Sequence, residues 1–232
     1  MLMLTFAFVY PQAIERYLTS GLNKHSKKDY SGAIADFTRA IAIDPNSAVL
    51  FYCRALSRAE IESHSEAIED FSKAIEINPF YTDAFFGRAQ SLHAIGSYRD
   101  AIDDYSQVLQ FDPQRKDVFF QKALSKYAFR DFRGAIIDLN QIIENEPNNA
   151  DALFYRALSK YGQYNFVGAV IDLDNVIELD PEYEDAFYFR GISRIRAGEL
   201  YEGCNDLHIA KSMGKEGLDE VIRDNCNLPE KK

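Results

Sequence analysis

The sequence predicts an all-α solenoid, a stack of helix-turn-helix units, and three observations carry that prediction. The prolines that end five of the repeats recur every 34 residues, and a fixed period of about 20 to 50 residues is typical of stacked repeats. Within each period, apolar residues recur at three- and four-residue spacing, as in amphipathic helices. Two columns of the repeat hold only alanine or glycine, which allows close packing of helices. The five prolines are Pro45, Pro79, Pro113, Pro147 and Pro181.

Counting from the prolines defines six repeats, whose positions we number 1 to 34. Each proline follows an acidic residue or asparagine and ends a helix, because proline cannot continue the hydrogen-bonded ladder. The sixth repeat carries Lys215 where the proline would fall and is therefore degenerate. The predicted repeats are 14–47, 48–81, 82–115, 116–149, 150–183 and 184–217.

The third repeat shows most clearly how one unit divides into two helices, which we call helix A and helix B. Its apolar residues follow the helical period from Phe85 to Ile95, are interrupted at Gly96 and Ser97, and resume at Ala101. Positions 8 and 20 are small in all six repeats, whereas positions 4 and 24 are aromatic or leucine. We therefore expect large side chains to fill the space beside close helix crossings.

The two ends of the chain are read separately from the repeats. Residues 1–13 form an apolar N-terminal segment, for which two alternatives stay open: packing on the first helices or a neighbouring chain, or a remnant of a targeting signal. Residues 218–228 are amphipathic and predict a capping helix, since the last repeat of a solenoid otherwise exposes an apolar face. We expect residues 229–232 to be a frayed tail.

A pair of charged columns predicts a ladder of ion pairs between helices A and B. Position 7 is basic in five repeats, and position 23 is aspartate in all six. Antiparallel helices joined near position 15 to 17 place the two positions at similar heights, so we expect salt bridges within or between adjacent repeats. The predicted pairs are Arg54 with Asp70, Arg88 with Asp104, Lys122 with Asp138, Arg156 with Asp172, and Arg190 with Asp206.

The 34-residue period with its alanine, aromatic and proline columns resembles the tetratricopeptide repeat family over residues 14–215. The chain departs from that family where Trp at position 4 is replaced by Phe, Tyr or Leu, and where Leu-Gly at positions 7 and 8 becomes Arg-Ala or a relative. The resemblance implies a right-handed superhelix whose helices A line a concave groove. It also implies that positions 2, 5, 6, 9, 12 and 13 contact a ligand.

Carried onto this chain, those positions define a candidate peptide-binding groove. Its aromatic members are Tyr52, Phe86, Phe120, Tyr127, Phe154, Tyr161 and Tyr188, and its acidic members are Asp83, Asp117 and Asp151. Two alternatives stay open: the position-5 aromatics could pack helix A on the preceding repeat, and the position-2 acids could stabilise the first turn of helix A.

Position 6 argues against one known mode of recognition. Family members that clamp the C-terminal carboxylate of a chaperone characteristically carry Asn there, with Lys or Arg nearby on helix A. Here position 6 is Thr19, Cys53, Gly87, Gln121, Tyr155 and Phe189. We therefore expect no binding of a chaperone C-terminal peptide.

Composition excludes several function classes. The formal net charge is −10, which argues against a nucleic-acid binder, and no apolar run approaches the roughly 20 residues of a membrane helix. The three cysteines form no CxxC pair and favour a reducing compartment, so we expect a cytoplasmic protein, with export or a trimmed signal left open by the N-terminal segment. The four histidines lack metal-ligand spacing. We expect no catalytic residues, no metal and no cofactor.

The predicted function is a non-enzymatic scaffold that binds an apolar peptide or helix of a partner protein in the groove. Acids at position 2 would suit basic residues in that partner. The alternative is a self-association module in which the N-terminal segment or the solenoid ends join copies of the chain. A weaker option is a regulatory subunit carried to an enzyme by assembly.

Overall fold

The computed structural model describes the backbone of residues 3–226 and the side chains of residues 12–226. Over this part the chain is helical, with thirteen helices and no strand, and successive helices pack on one another within each of the units described below. This confirms the predicted all-α solenoid. The helices are α1 Met3–Ser26, α2 Tyr30–Ile43, α3 Ala48–Ala59, α4 His64–Ile77, α5 Thr82–Ala94, α6 Tyr98–Phe111, α7 Lys116–Ala128, α8 Phe132–Asn145, α9 Ala150–Gly162, α10 Phe166–Leu179, α11 Glu184–Ala197, α12 Leu200–Ser212 and α13 Leu218–Cys226.

The chain forms two compact units, Met1–Val118 and Phe119–Lys232. In the first unit, α1 packs on α2, α3 on α4 and α5 on α6, and α2 also packs on α3 and α4 on α5. In the second unit, α9 packs on α10 and α11 on α12, while α13 packs on α12. Each helix pair therefore buries its apolar faces against its neighbours in sequence, as in other repeat proteins.

The core of each unit is built from the columns of small and large residues. Every described residue at positions 8 and 20 is buried, and so is every residue at position 24, from Phe37 to Leu207. The helices cross closely in the sixth repeat, where a Cβ atom added to Gly191 would lie 2.8 Å from the backbone oxygen of Gly203. Only glycine fits at both positions there, because α11 and α12 approach so closely.

Helix A turns into helix B through a residue in the left-handed backbone region in every repeat. This residue is at position 15, with φ between 60° and 94°. The next amide closes the turn by bonding to the carbonyl five residues back, as Ser97 N does to Leu92 O at 2.9 Å. Only two of the six residues are glycine, although glycine adopts this region most readily. The six are Lys28, Glu62, Gly96, Arg130, Tyr164 and Gly198.

The residue before each repeat-ending proline forms part of the turn between repeats. The side-chain oxygen of Asp44 accepts a hydrogen bond from Asn46 N at 3.1 Å, and that of Asp180 accepts one from Glu182 N at 3.0 Å. Asn78 and Asp112 do the same. The short acid or amide thus closes an Asx turn, which explains why it accompanies the proline.

The N-terminal segment continues into the first repeat as helix. α1 runs without interruption from Met3 to Ser26, so its backbone extends the first helix A toward the N-terminus. The side chains of residues 1–11 lie outside the described part of the chain, and with them the question of what they pack against. Within that part, no helix combines the length and the apolar character needed to cross a bilayer.

The C-terminal end corrects the interpretation of the cysteines. Cys204 on α12 and Cys226 at the end of α13 form a disulfide, with their Cα atoms 5.6 Å apart. Cys53 is free and buried. The expectation that the cysteines are unpaired is therefore wrong for two of the three, and the argument from them to a reducing compartment loses its basis. The predicted helix at 218–228 is observed from Leu218 to Cys226; residues 227–232, with the predicted tail, lie outside the described residues.

Candidate functional site

The basic residues at position 7 lie beside the aspartates at position 23 of the same repeat. Arg54, Arg88, Arg156 and Arg190 each place a guanidinium nitrogen 2.7 Å from their carboxylates at Asp70, Asp104, Asp172 and Asp206, and Lys122 lies 3.6 Å from Asp138. The aspartates are buried, and the arginines bind them with two nitrogens. Such bidentate pairs have strict geometry.

Each of these arginines also reaches the preceding repeat. Arg88 donates a third hydrogen bond to Ser72 Oγ at 3.0 Å, and Arg190 donates one to Asp174 Oδ1 at 2.7 Å. The acceptors stand at position 25, a polar column that sequence reasoning did not use. The position-7 residue therefore joins three helices of two successive repeats.

A second basic column, at position 11, was also missed. Lys24, Arg58, Lys126, Lys160 and Arg194 each lie within 2.7 Å of the position-23 aspartate of their repeat. The column could have been found by reading positions 7 and 11 together, because residues four apart share one face of a helix. Most of the buried aspartates thus face two cations.

The third repeat departs from this arrangement, because Leu92 replaces the position-11 cation. Asp104 is 6% exposed and, among the described residues, pairs only with Arg88. Burial raises the pKa of Asp104, and the hydrogen bonds and charge of Arg88 do not fully offset it; Asp100 and Asp103 add to the rise. In the first repeat, burial alone would raise the pKa of Asp36. The hydrogen bonds from Lys24 and Ser20 outweigh the effect of burial, so the pKa of Asp36 is lowered.

The predicted groove aromatics are half-buried, with one exception. Tyr52, Phe86, Phe120, Tyr127, Tyr161 and Tyr188 each keep part of their surface accessible. Phe154 is only 5% exposed and packs in the core of its repeat. The expectation that Phe154 anchors a ligand is therefore corrected: its ring lies between Tyr183, at 5.0 Å, and Phe189, at 5.7 Å.

The residue at position 34 lies beside the position-5 ring in three repeats. Tyr81 lies 4.9 Å from Tyr52, Tyr183 lies 5.0 Å from Phe154, and the guanidinium of Arg115 lies 4.3 Å above the ring of Phe86. In the fourth repeat the residue is Asn149, which caps α9: its Oδ1 accepts from Ala152 N at 3.0 Å. Asn149 has neither a ring nor a charge to place over Phe120.

The three predicted acids are exposed but differ in their partners. Arg115 contacts Asp83 at 2.7 Å and Asp117 at 3.3 Å. Burial alone would lower the pKa of Arg115, but hydrogen bonds and charges of the two acids raise it. Burial raises the pKa of Tyr183 to about 12, and the nearby charge of Asp151 adds to the rise. Two of the three acids are therefore already matched by a cation of the chain itself.

Aromatic rings form a connected network in the second unit, Phe119–Lys232. The ring of Tyr155 lies 5.8 Å from Phe120, 6.0 Å from Tyr127 and 5.6 Å from Phe154. From Phe154 the contacts continue to Phe189 and Tyr188. Burial raises the pKa of Tyr127, and the neighbouring Tyr155 adds to the rise. We call the half-buried members, Phe120, Tyr127, Tyr155, Tyr188 and Phe189, the aromatic face.

Tyr155 and Phe189, at position 6, are the members that sequence reasoning did not select. Position 6 packs against position 24 of the preceding repeat: a Cβ added to Gly87 would lie 2.5 Å from the ring of Phe71, and Cys53 clusters with Phe37. Where position 24 is leucine, position 6 of the next repeat is aromatic. This exchange of size is the signal that would have identified Tyr155 and Phe189.

Two of the histidines lie beside aromatic and polar side chains. Among the described residues, no three His, Cys, Asp or Glu side chains are placed to hold a metal ion. His25 Nδ1 lies 2.9 Å from Ser57 Oγ, and its ring stacks edge-on with Tyr30. His93 stacks in the same way with Tyr98. Both rings therefore pack against a tyrosine of their own repeat.

Family comparison agrees with the helix pairs described above. Sequence models of the tetratricopeptide repeat match residues 14–47, 52–116 and 120–183, well over half of the chain. The chain therefore belongs to the tetratricopeptide repeat family, whose members bind other proteins or peptides. The family is one of interaction scaffolds and is generally non-enzymatic.

Solved structures with the same fold include three that are informative. YrrB, described as a TPR protein with an unusual peptide-binding site, has a TM-score of 0.69 at 19% identity, covering 83% of this chain and 98% of its own. MamA has a TM-score of 0.69 at 19% identity, covering 74% and 94%. Pseudomonas aeruginosa pilF has a TM-score of 0.68 at 16% identity, covering 93% and 98%. A search of curated protein sequences found no match.

Proposed function

We propose that this protein is an interaction scaffold that binds an apolar segment of a partner protein on the aromatic face. The observation that carries the proposal is the connected network of half-buried rings centred on Tyr155. Rings that are accessible on one side and packed on the other are held rigidly, so a ligand does not have to order them. Aromatic residues of this kind dominate the binding energy of many protein interfaces.

Two further observations support a peptide-like partner. YrrB, which has the same fold, is described as having a peptide-binding site. The net charge of −10 and the exposed carboxylate of Asp151 beside the aromatic face favour a partner segment that also carries basic residues.

The test compares two accessible rings with one buried ring. The double variant Phe120→Ala, Tyr155→Ala should weaken binding to a co-purified partner by about tenfold or more, because each lost anchor typically costs about 1 kcal/mol or more. Calorimetry gives the affinity, and circular dichroism gives the helical content, which should stay near that of the wild type.

Phe154→Ala is the matched control in the same network. This ring is buried, so its removal should lower the free energy of unfolding by about 3 kcal/mol or more. Partner binding should then change only as far as folding does. Unchanged affinity of the double variant would contradict the proposal, and unfolding of the double variant would assign both rings to the core.

A second candidate function is self-association through the N-terminal segment. The observation in its favour is that α1 extends the first helix A back to Met3 through apolar residues. Light scattering should then give a larger mass for the full chain than for a chain beginning at Pro11. Equal masses would leave the partner-binding scaffold as the function.

A further inference from the structure

Two repeats fill the space beside their position-5 ring with a cation of their own. In the third repeat, the guanidinium of Arg115 lies 4.3 Å above Phe86 and contacts Asp83 and Asp117. In the sixth repeat, Lys215 lies 5.5 Å from the centre of the Tyr188 ring and contacts Asp185. Asp185 and its hydrogen bond raise the pKa of Lys215, so the amine stays charged at neutral pH. In this protein, an aromatic ring with an acid beside it therefore binds a cation.

In the second unit, the same arrangement of ring and acid holds no cation from the described residues of the chain. Phe120 is half-buried, and Tyr155 lies 5.8 Å away with its ring nearly perpendicular, so the two rings meet edge to face. Asp151 stands one helical turn before Tyr155 on α9 and is exposed, as Asp117 is beside Arg115. Asn149 occupies the position that Arg115 has in the third repeat, and its side chain caps α9.

We propose that Phe120, Tyr155 and Asp151 form a subsite for a basic side chain of the bound segment, and that arginine is preferred. This inference rests on the proposed function, since it names the chemistry of the segment that occupies the aromatic face. A guanidinium can lie over a ring and donate hydrogen bonds to two carboxylates at once, as Arg115 does to Asp83 and Asp117 in the third repeat. An ammonium group has no planar face to stack.

A small probe separates this subsite from the rest of the interface. N-acetyl-arginine amide, added to the full-length protein with labelled Phe and Tyr rings, should shift the NMR signals of Phe120 and Tyr155 and saturate at millimolar concentration. N-acetyl-citrulline amide has nearly the same shape without the charge and should bind at least about fivefold more weakly, because the cation–ring and charge terms are lost. Equal shifts from both probes would overturn the proposal.

Two substitutions test the geometry. Asp151→Asn removes the carboxylate charge and should weaken arginine-probe binding by about fivefold, and added salt should then matter less. Asn149→Arg should place a cation of the chain over Phe120, as Arg115 lies over Phe86, and so block the probe. Asn149→Ala loses the same helix cap without adding a cation, and should bind the probe as the wild type does.

The outcomes distinguish this inference from the broader function. If Asn149→Arg and Asn149→Ala bind the arginine probe equally well, the subsite is wrong. If the subsite is wrong but partner binding falls in the Phe120→Ala, Tyr155→Ala variant, the scaffold function is still supported. If the probe behaves as expected but the partner is unaffected by that variant, the subsite binds cations and the proposed function is wrong.

Discussion

Each position-23 aspartate is a buried charge whose balance depends on two residues of helix A. Four of the six described aspartates face cations from both position 7 and position 11. We propose that the ladder sets the register between helices, because a buried carboxylate that loses its partner is costly. Asp104, with Arg88 alone, is the place where that cost is visible.

Stability should depend on pH at Asp104 with a defined sign. Its pKa is raised in the folded state, so the folded protein binds the proton more readily than the unfolded chain does. This site therefore favours folding most below about pH 4, the unfolded pKa of aspartate, and the advantage is lost as pH rises through the folded pKa. Leu92→Lys should supply the missing cation, lower the pKa of Asp104 and raise stability at pH 7 relative to pH 4 by about 1 kcal/mol.

Urea unfolding at the two pH values measures this difference, and NMR titration of the Asp104 carboxyl follows the pKa. Lys160→Leu is the matched control, because it removes the position-11 cation beside Asp172 in the fifth repeat, where the third repeat has Leu92. It should lower stability more at pH 7 than at pH 4. An identical pH dependence of wild type and Leu92→Lys would show that the position-11 cation does not act on Asp104.

The turns between helices A and B show how little the repeat depends on glycine. All six place position 15 in the left-handed region, yet four use a residue with a side chain. For such residues this conformation costs about 1–2 kcal/mol, and the hydrogen bond that closes the turn and the packing of both helices maintain it. Tyr164 is the extreme case, since it is 82% exposed and has φ of 63°.

Glycine at position 15 should therefore be stabilising. Tyr164→Gly should raise the free energy of unfolding by about 0.5–1 kcal/mol, since the relief of strain exceeds the entropy that glycine adds to the unfolded chain. Gly96→Ala should lower it by about 1 kcal/mol, although an added Cβ meets no atom within 4 Å. Thermal unfolding of both variants measures the effects. If Gly96→Ala were neutral, strain would not be the cause.

The last helix, α13, covers part of the sixth repeat. At the C-terminus, α13 covers α12, buries Leu218 and is joined to it by the disulfide between Cys204 and Cys226. The disulfide closes a loop with a sequence separation of 22 residues. Because each repeat of a solenoid contacts only its neighbours, the effect of the disulfide should be concentrated at this end.

Reduction should therefore loosen the cap first. Breaking the disulfide should cost up to about 3 kcal/mol and speed hydrogen exchange in α13 before that in earlier helices. The control is Cys53→Ser, which should respond to reductant as the wild type does, because Cys53 is buried and burial raises its pKa to about 11. Cys226→Ser should not respond. Equal thermal stability with and without reductant in the wild type would contradict the role of the disulfide.

Much of the fold could be predicted from the sequence because the period, the proline turns and the small and large columns are local properties that recur every 34 residues. The helix pairs and the family follow from them. The candidate site was predicted less well, since accessibility depends on neighbours in other helices. Phe154 shares its position with Phe86 and Phe120, yet Tyr183 and Phe189 bury it.

The other differences between the predicted and the observed site also arise from contacts with neighbouring helices. Position 6 can hold an aromatic ring at Tyr155 and Phe189 because leucine at position 24 of the preceding repeat leaves room for it. Phe120 differs from Phe86 because Asn149 caps a helix while Arg115 reaches over a ring. The pairing of Cys204 with Cys226 depends on how α13 folds back on α12. A repeat pattern specifies which residues occupy equivalent places, whereas packing between helices specifies which of those places stay open.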